Sequence, residues 1–151
     1  MFLKYKKMAI YLILAIFLVS IDRFLKSFSF FLPEGGFELL GEYFKLNLAK
    51  NYYIAFSIPI SGIILNIIIF IIICIIIIEL LVLAKKRFYN EAGLLTILLF
   101  GAISNMVDRL IYGYVIDYLD LKYFTVFNVA DAMIVISVLF LLYKTKKIKE
   151  E

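Results

Sequence analysis

The sequence contains no histidine and a single cysteine in 151 residues. Without histidine there is no Ser/His/Asp triad, no Cys/His dyad and no histidine-ligated metal centre. Cys74 lies inside an isoleucine-rich run, where it reads as a small apolar filler, and one cysteine excludes an intramolecular disulfide. Charge is also scarce. Only 19% of the residues are Asp, Glu, Lys or Arg, and the net charge of +4 comes from basic residues at the ends of apolar segments. They form no stripe of the kind that binds nucleic acid, so no nucleic-acid partner is expected.

What is abundant is apolar. Hydrophobic residues make up 65% of the chain, against roughly 45–50% in water-soluble domains, and the mean hydropathy is +1.03. The composition predicts a single integral membrane domain over residues 1–151. Its expected architecture is an all-α membrane protein with four transmembrane helices and a small extracytoplasmic β-structure.

The spans are expected at about 5–28, 59–84, 92–110 and 126–143; crossing ~30 Å of hydrocarbon takes ~20 residues. The first has an uninterrupted apolar stretch only from Met8 to Ile21 and resembles the core of a secretory signal. No small-x-small cleavage site follows, and the sequence stays apolar beyond Asp22, Arg23 and Lys26, so a retained span is expected. Basic clusters at Lys4, Lys6 and Lys7, at Lys85, Lys86 and Arg87, and at Lys144, Lys146, Lys147 and Lys149 fall on one side if there are four spans. The positive-inside rule then makes both termini cytoplasmic and the loops 29–58 and 111–125 external. In the first outer loop, residues 43–50 alternate with period two, which predicts a short strand between glycine turns.

A four-residue pattern occurs twice: Asn105-Met106-Val107-Asp108 and Asn128-Val129-Ala130-Asp131. Each stands where an apolar segment meets a loop. Ionisable residues at such depth are costly, and they read as functional or paired. Two carboxylates brought together cannot both ionise easily, so one holds a proton near neutral pH and the pair can act as general acid and general base on water. Neither a metal nor a cofactor is needed. The bland readings are that Asp108 pairs with Arg109 and that Asp131 caps the fourth helix. Asp22 and Lys26, at i and i+4, form either a local salt bridge with Lys26 snorkelling to the headgroups or a clamp near the carboxylates. Asn66 and Glu79 in the second span read as structural. A Ser/Lys mechanism would have to join Lys26 to Ser57, Ser61 or Ser104, and none of these three lies beside it in sequence.

Several blocks together resemble bacterial lipoprotein signal peptidase, or signal peptidase II: Asp22 with Lys26; Asn51 followed by Ala55-Phe56-Ser57; the run from Gly101 to Arg109; Gly113-Tyr114-Val115-Ile116-Asp117-Tyr118; and Phe127-Asn128-Val129-Ala130-Asp131. The resemblance covers almost the whole chain. It implies an aspartic endopeptidase of the bacterial inner membrane that cuts diacylglyceryl-prolipoproteins before the lipidated cysteine, with membrane lipid around the substrate. It implies a catalytic pair at Asp108 and Asp131, and supporting or substrate-binding roles for Asp22, Lys26, Asn51, Gly101, Asn105, Arg109, Asn128 and Ala130. Two departures, Tyr53-Ile54 in place of small residues and Ser104 in place of a common Gly, are expected to narrow the substrate groove. The rival class is a small transporter or assembly factor whose carboxylates bind protons or a cation. It would place polar residues at the bilayer midplane, where Asn66 is the main candidate. The Gly-x-Gly-Asp signature of other intramembrane aspartyl proteases does not occur.

Overall fold

In a computed structural model that describes residues 2–53 and 61–150, the chain forms helix α1 (Phe2–Ser29), strands β1 (Phe37–Leu40) and β2 (Phe44–Asn51), helices α2 (Gly62–Lys85) and α3 (Tyr89–Tyr112), strand β3 (Val115–Leu121) and helix α4 (Val129–Glu150). The start of the expected second span at Pro59, and Ala55-Phe56-Ser57, lie outside the described residues. Lys6–Ser29, Gly62–Lys85 and Tyr89–Tyr112 are each long and apolar enough to cross a membrane. The apolar part of α4 runs from Val129 to Tyr143, after which lysines begin.

Helix α3 is the centre of the bundle, with α1, α2 and α4 all packed on it. Apolar residues surround α2 on every side; only Leu65 and Ile73 are buried, and the others are exposed or half-buried. An all-round apolar helix of this kind is stable where its outer face meets lipid. Asn66 lies in the second turn of α2, not at its midpoint, so the chief candidate for a midplane polar site is at a helix end.

Close approach of α3 and α4 depends on Gly101: a Cβ there would lie 2.7 Å from the carbonyl oxygen of Ala130. Tyr112 ends α3, and Gly113 follows with φ of 81°, a left-handed C-cap whose N–H donates to the Arg109 carbonyl. The chain can therefore turn at once into β3.

The expected strand is β2, and it pairs antiparallel with both β1 and β3 in a sheet ordered β1-β2-β3. β3 comes from the second outer segment, where the sequence predicts a loop. Val115 to Tyr118 are all buried, so β3 packs on the bundle end where α1 and α3 finish and α4 begins.

Candidate active site

Four carboxylates are gathered at this end: Asp22 from α1, Asp108 from α3, Asp117 from β3 and Asp131 from α4. They divide into two pairs by what neutralises them.

Asp22 and Asp108 are ion-paired. Lys26, fully buried, places Nζ 2.9 Å from Asp22 and 2.8 Å from Asp108, and it donates to the Asn105 carboxamide oxygen at 2.9 Å. Arg23 completes the set with an ion pair to the other Asp108 oxygen and a bond to the Ser104 carbonyl. The Ile116 N–H also donates to Asp108, at 3.3 Å. Lys26 does not snorkel to headgroups, and Asp108 does not pair with Arg109. Both expectations assumed that each charge seeks water or its sequence neighbour, whereas two acids and two bases from α1 and α3 neutralise one another here.

Asp22 serves as a junction. It accepts from Ser104 Oγ at 2.7 Å, from Tyr118 Oη at 3.1 Å and from the Ala130 N–H at 3.2 Å. Ser104, the departure expected to narrow the groove, is buried and turned toward Asp22 instead. Tyr53 is exposed, and its carbonyl accepts from Arg109 at 2.9 Å; Ile54 lies outside the described residues.

Asp117 and Asp131 have no ion pair among the described residues; their partners are amides. Asn51 and Asn128 donate to the two Asp117 oxygens at 3.0 and 2.6 Å. Asn105 donates to Asp131 at 2.8 Å, and the Asn128 backbone N–H donates to its other oxygen at 3.3 Å. The Asp131 N–H returns a bond to the Asn128 side chain at 2.8 Å, a reciprocal capping box that opens α4. Asn128 thus contacts both carboxylates, one through its side chain and one through its backbone. Burial, and then the nearby charge of Asp131, push the Asp117 carboxyl up to about 7, against the pull of the two amides.

The two Asn-x-x-Asp strings consequently differ. Asn128-x-x-Asp131 is a helix start. Asn105-x-x-Asp108 lies within α3, where Asn105 turns away from its own Asp108 and bonds Asp131 and Lys26.

A cavity of about 440 Å³ opens beside this group, lined by Asn51, Asn105, Arg109 and Asp131 and by apolar residues of α4 and of the segment 124–127. Asp117 is bonded by one of the residues lining this cavity, Asn51. None of the residues bonded to Asp108 lines it. Among the described residues the buried Nε of Arg109 has no hydrogen-bond partner.

This arrangement coincides with a sequence match over residues 14–147 to the family model for signal peptidase (SPase) II. The chain belongs to the signal peptidase II family. It is 32% identical over 136 residues to the lipoprotein signal peptidase of Caldanaerobacter subterraneus subsp. tengcongensis, covering 87% of this chain and 92% of that protein. It is 30% identical over 141 residues to that of Moorella thermoacetica, covering 89% and 91%. Two solved structures described as bacterial membrane enzymes superpose with TM-scores of 0.79 and 0.75 at 26% and 25% identity; they match 92% and 91% of this chain and 88% and 92% of their own. The chain is therefore a multi-pass bacterial membrane signal peptidase.

The supporting residues expected for a signal peptidase II all converge on this one end of the bundle. Lys26, Asn105 and Asn128 bond carboxylates directly, Asp22 pairs with Lys26, Asn51 bonds Asp117, Arg109 lines the cavity, and Gly101 meets Ala130 where α3 touches α4. Asp117, Arg23 and Tyr118 were missing from that set. Asp117 was legible only as part of the Gly113–Tyr118 block, since its role depends on a strand that the sequence pattern does not announce.

Proposed function

We propose that this signal peptidase cleaves diacylglyceryl-modified prolipoproteins by aspartic chemistry before the lipidated cysteine, and that Asp117 and Asp131 are the acid–base pair. The observation that carries the pairing is that Asn128 bonds both carboxylates while neither has an ion pair among the described residues. Asp108, the partner suggested by the repeated motif, is ion-paired with Arg23 and Lys26, so taking a proton from water would break that pairing. In this reading Asp108 anchors Lys26, and Lys26 orients Asp131 through Asn105.

With Asp117 at about 7, its protonated and ionised forms are comparably populated at neutral pH. One carboxylate of the pair takes a proton from water as the water oxygen attacks the scissile carbonyl carbon. The other, protonated, donates to the carbonyl oxygen as the tetrahedral intermediate forms. Collapse breaks the C–N bond, and the departing amine takes up a proton from the pair. Because two coupled groups share the proton, acid and base are roles of the pair and not of fixed residues.

The chain would cross the membrane four times with both termini cytoplasmic, α4 being the fourth span, and the site would face outward. Phe28, Phe30, Phe31, Tyr52 and Tyr53 are exposed around the site end and give acyl chains an apolar rim at headgroup depth; Phe56 lies outside the described residues. Each buried methylene contributes about 0.8 kcal/mol, so two acyl chains supply much of the binding. The test compares cleavage of a diacylglyceryl prolipoprotein with that of its unmodified form, at equal concentration in one detergent. Much faster cleavage of the lipidated form is expected, and equal rates would remove lipid recognition from the reading. The transporter reading has no supporting midplane polar site, because the buried acids collect at one end.

A further inference from the structure

The first turn of α4 presents N–H groups with no partner inside the helix, and the structure accounts for each of them. Val129 N–H donates to Tyr118 Oη at 3.1 Å, Ala130 N–H to Asp22 at 3.2 Å and Asp131 N–H to the Asn128 side chain at 2.8 Å, after which Ala132 N–H makes a helical bond to the Asn128 carbonyl at 3.2 Å. Capping by a residue's own Asn, Asp or Ser is ordinary. Capping by the phenol of a residue on a separate strand is not, and it fixes the helix start relative to that strand.

Tyr118 directly follows Asp117, and Val129 is two residues before Asp131. The Tyr118 side chain is almost completely buried; burial and the adjacent Asp22 charge hold its phenol above the ordinary tyrosine range, so it remains a donor. Its hydroxyl gives its one proton to Asp22 and accepts from Val129. Beside it, the Tyr118 and Leu119 N–H groups both donate to the Phe127 carbonyl, at 3.1 and 2.8 Å, closing the loop between β3 and α4.

We infer that Tyr118 is a positioning residue: its hydroxyl ties the strand that carries Asp117 to the helix that carries Asp131 and sets the spacing of the two carboxylates. The inference rests on the Asp117–Asp131 pairing proposed above. The tether acts on the arrangement of the pair and touches no substrate, so its loss should lower turnover and leave binding alone.

The test is steady-state kinetics of Tyr118→Phe and Val129→Pro on a diacylglyceryl prolipoprotein, with thermal stability measured alongside. Phenylalanine keeps the ring and removes the hydroxyl. Proline at the first helical position is compatible with helix geometry and removes the N–H from the other side of the same bond. Each variant is expected to lower kcat about tenfold or more with KM within twofold, and the double variant should lose little beyond the larger single loss. The inference is overturned if Tyr118→Phe keeps kcat within twofold, if Val129→Pro does so while Tyr118→Phe does not, or if the two losses simply multiply. Activity in Asp117→Asn would instead remove the pairing itself, so the two failures are distinguishable.

Discussion

Asn128 donates its side-chain amide to Asp117 at 2.6 Å, while its backbone N–H donates to Asp131 at 3.3 Å. One residue therefore holds two acids that have no ion pair among the described residues, next to a second pair of acids, Asp22 and Asp108, that are ion-paired with Arg23 and Lys26. In the proposed mechanism the kind of partner each carboxylate has separates the acid–base pair from the ion-paired acids.

Lys26 links the two halves, through Asp108 and Asp22 on one side and through Asn105 to Asp131 on the other. Lys26→Met should leave two buried carboxylates short of a cation, at a cost of about 3–5 kcal/mol, and should also reduce turnover in whatever fraction folds. Chemical denaturation in detergent micelles, with cleavage rates normalised to folded protein, measures both. Wild-type stability in this variant would mean that the buried cluster relaxes to take in water.

The raised Asp117 carboxyl makes stability depend on pH. The folded chain binds this proton up to about pH 7, whereas the unfolded chain releases it near the ordinary 3.8. Its contribution is fully present below about pH 4 and is lost as the pH rises through about 7. Asp117→Asn cannot titrate, so between pH 5 and 8.5 the melting temperature of the wild type should fall relative to that of the variant. Parallel Tm curves would show that Asp117 is not protonated in the folded enzyme.

Gly101→Ala places a methyl against the Ala130 carbonyl, where a Cβ would sit 2.7 Å away. The backbone cannot swing aside as a side chain would, so the first turn of α4 must shift and carry Asp131 with it. A stability loss of roughly 1–3 kcal/mol with a disproportionate drop in kcat is expected. A variant that loses stability yet keeps its kcat would show that the site tolerates that shift.

The orientation is checked by cysteine labelling in intact cells. Positions 86 and 147 should be protected from an impermeant reagent, and positions 45 and 122 should react. Protection at 45 would turn the site to the cytoplasmic side and end the outward-facing reading.

How far the sequence was legible varies with the physics of each element. Apolar length exposed the helices, and period-two alternation exposed β2 because its surface is only half covered. β3 stayed hidden: Val115 to Tyr118 are all buried, so no alternation between buried and exposed faces marked it. The repeated Asn-x-x-Asp drew attention to the end of the bundle where the four acids collect, and to Asp131. It also suggested that equal strings have equal roles, but one string caps a helix and the other lies inside one, so Asp108 meets the cations of α1 while Asp131 shares Asn128 with Asp117. Lys26 could not be resolved from its i, i+4 spacing, because its other partners come from residues 79 and 82 positions away.

The pairing of Asp117 with Asp131 is tested most directly by single-turnover cleavage of a diacylglyceryl prolipoprotein by Asp117→Asn, Asp131→Asn and Asp108→Asn, each matched to wild type for folded protein. Asp117→Asn and Asp131→Asn should each abolish cleavage, because a carboxamide cannot transfer the proton, while correctly folded Asp108→Asn should retain measurable cleavage. Cleavage by Asp117→Asn, together with none by Asp108→Asn, would contradict the assignment and return catalysis to Asp108.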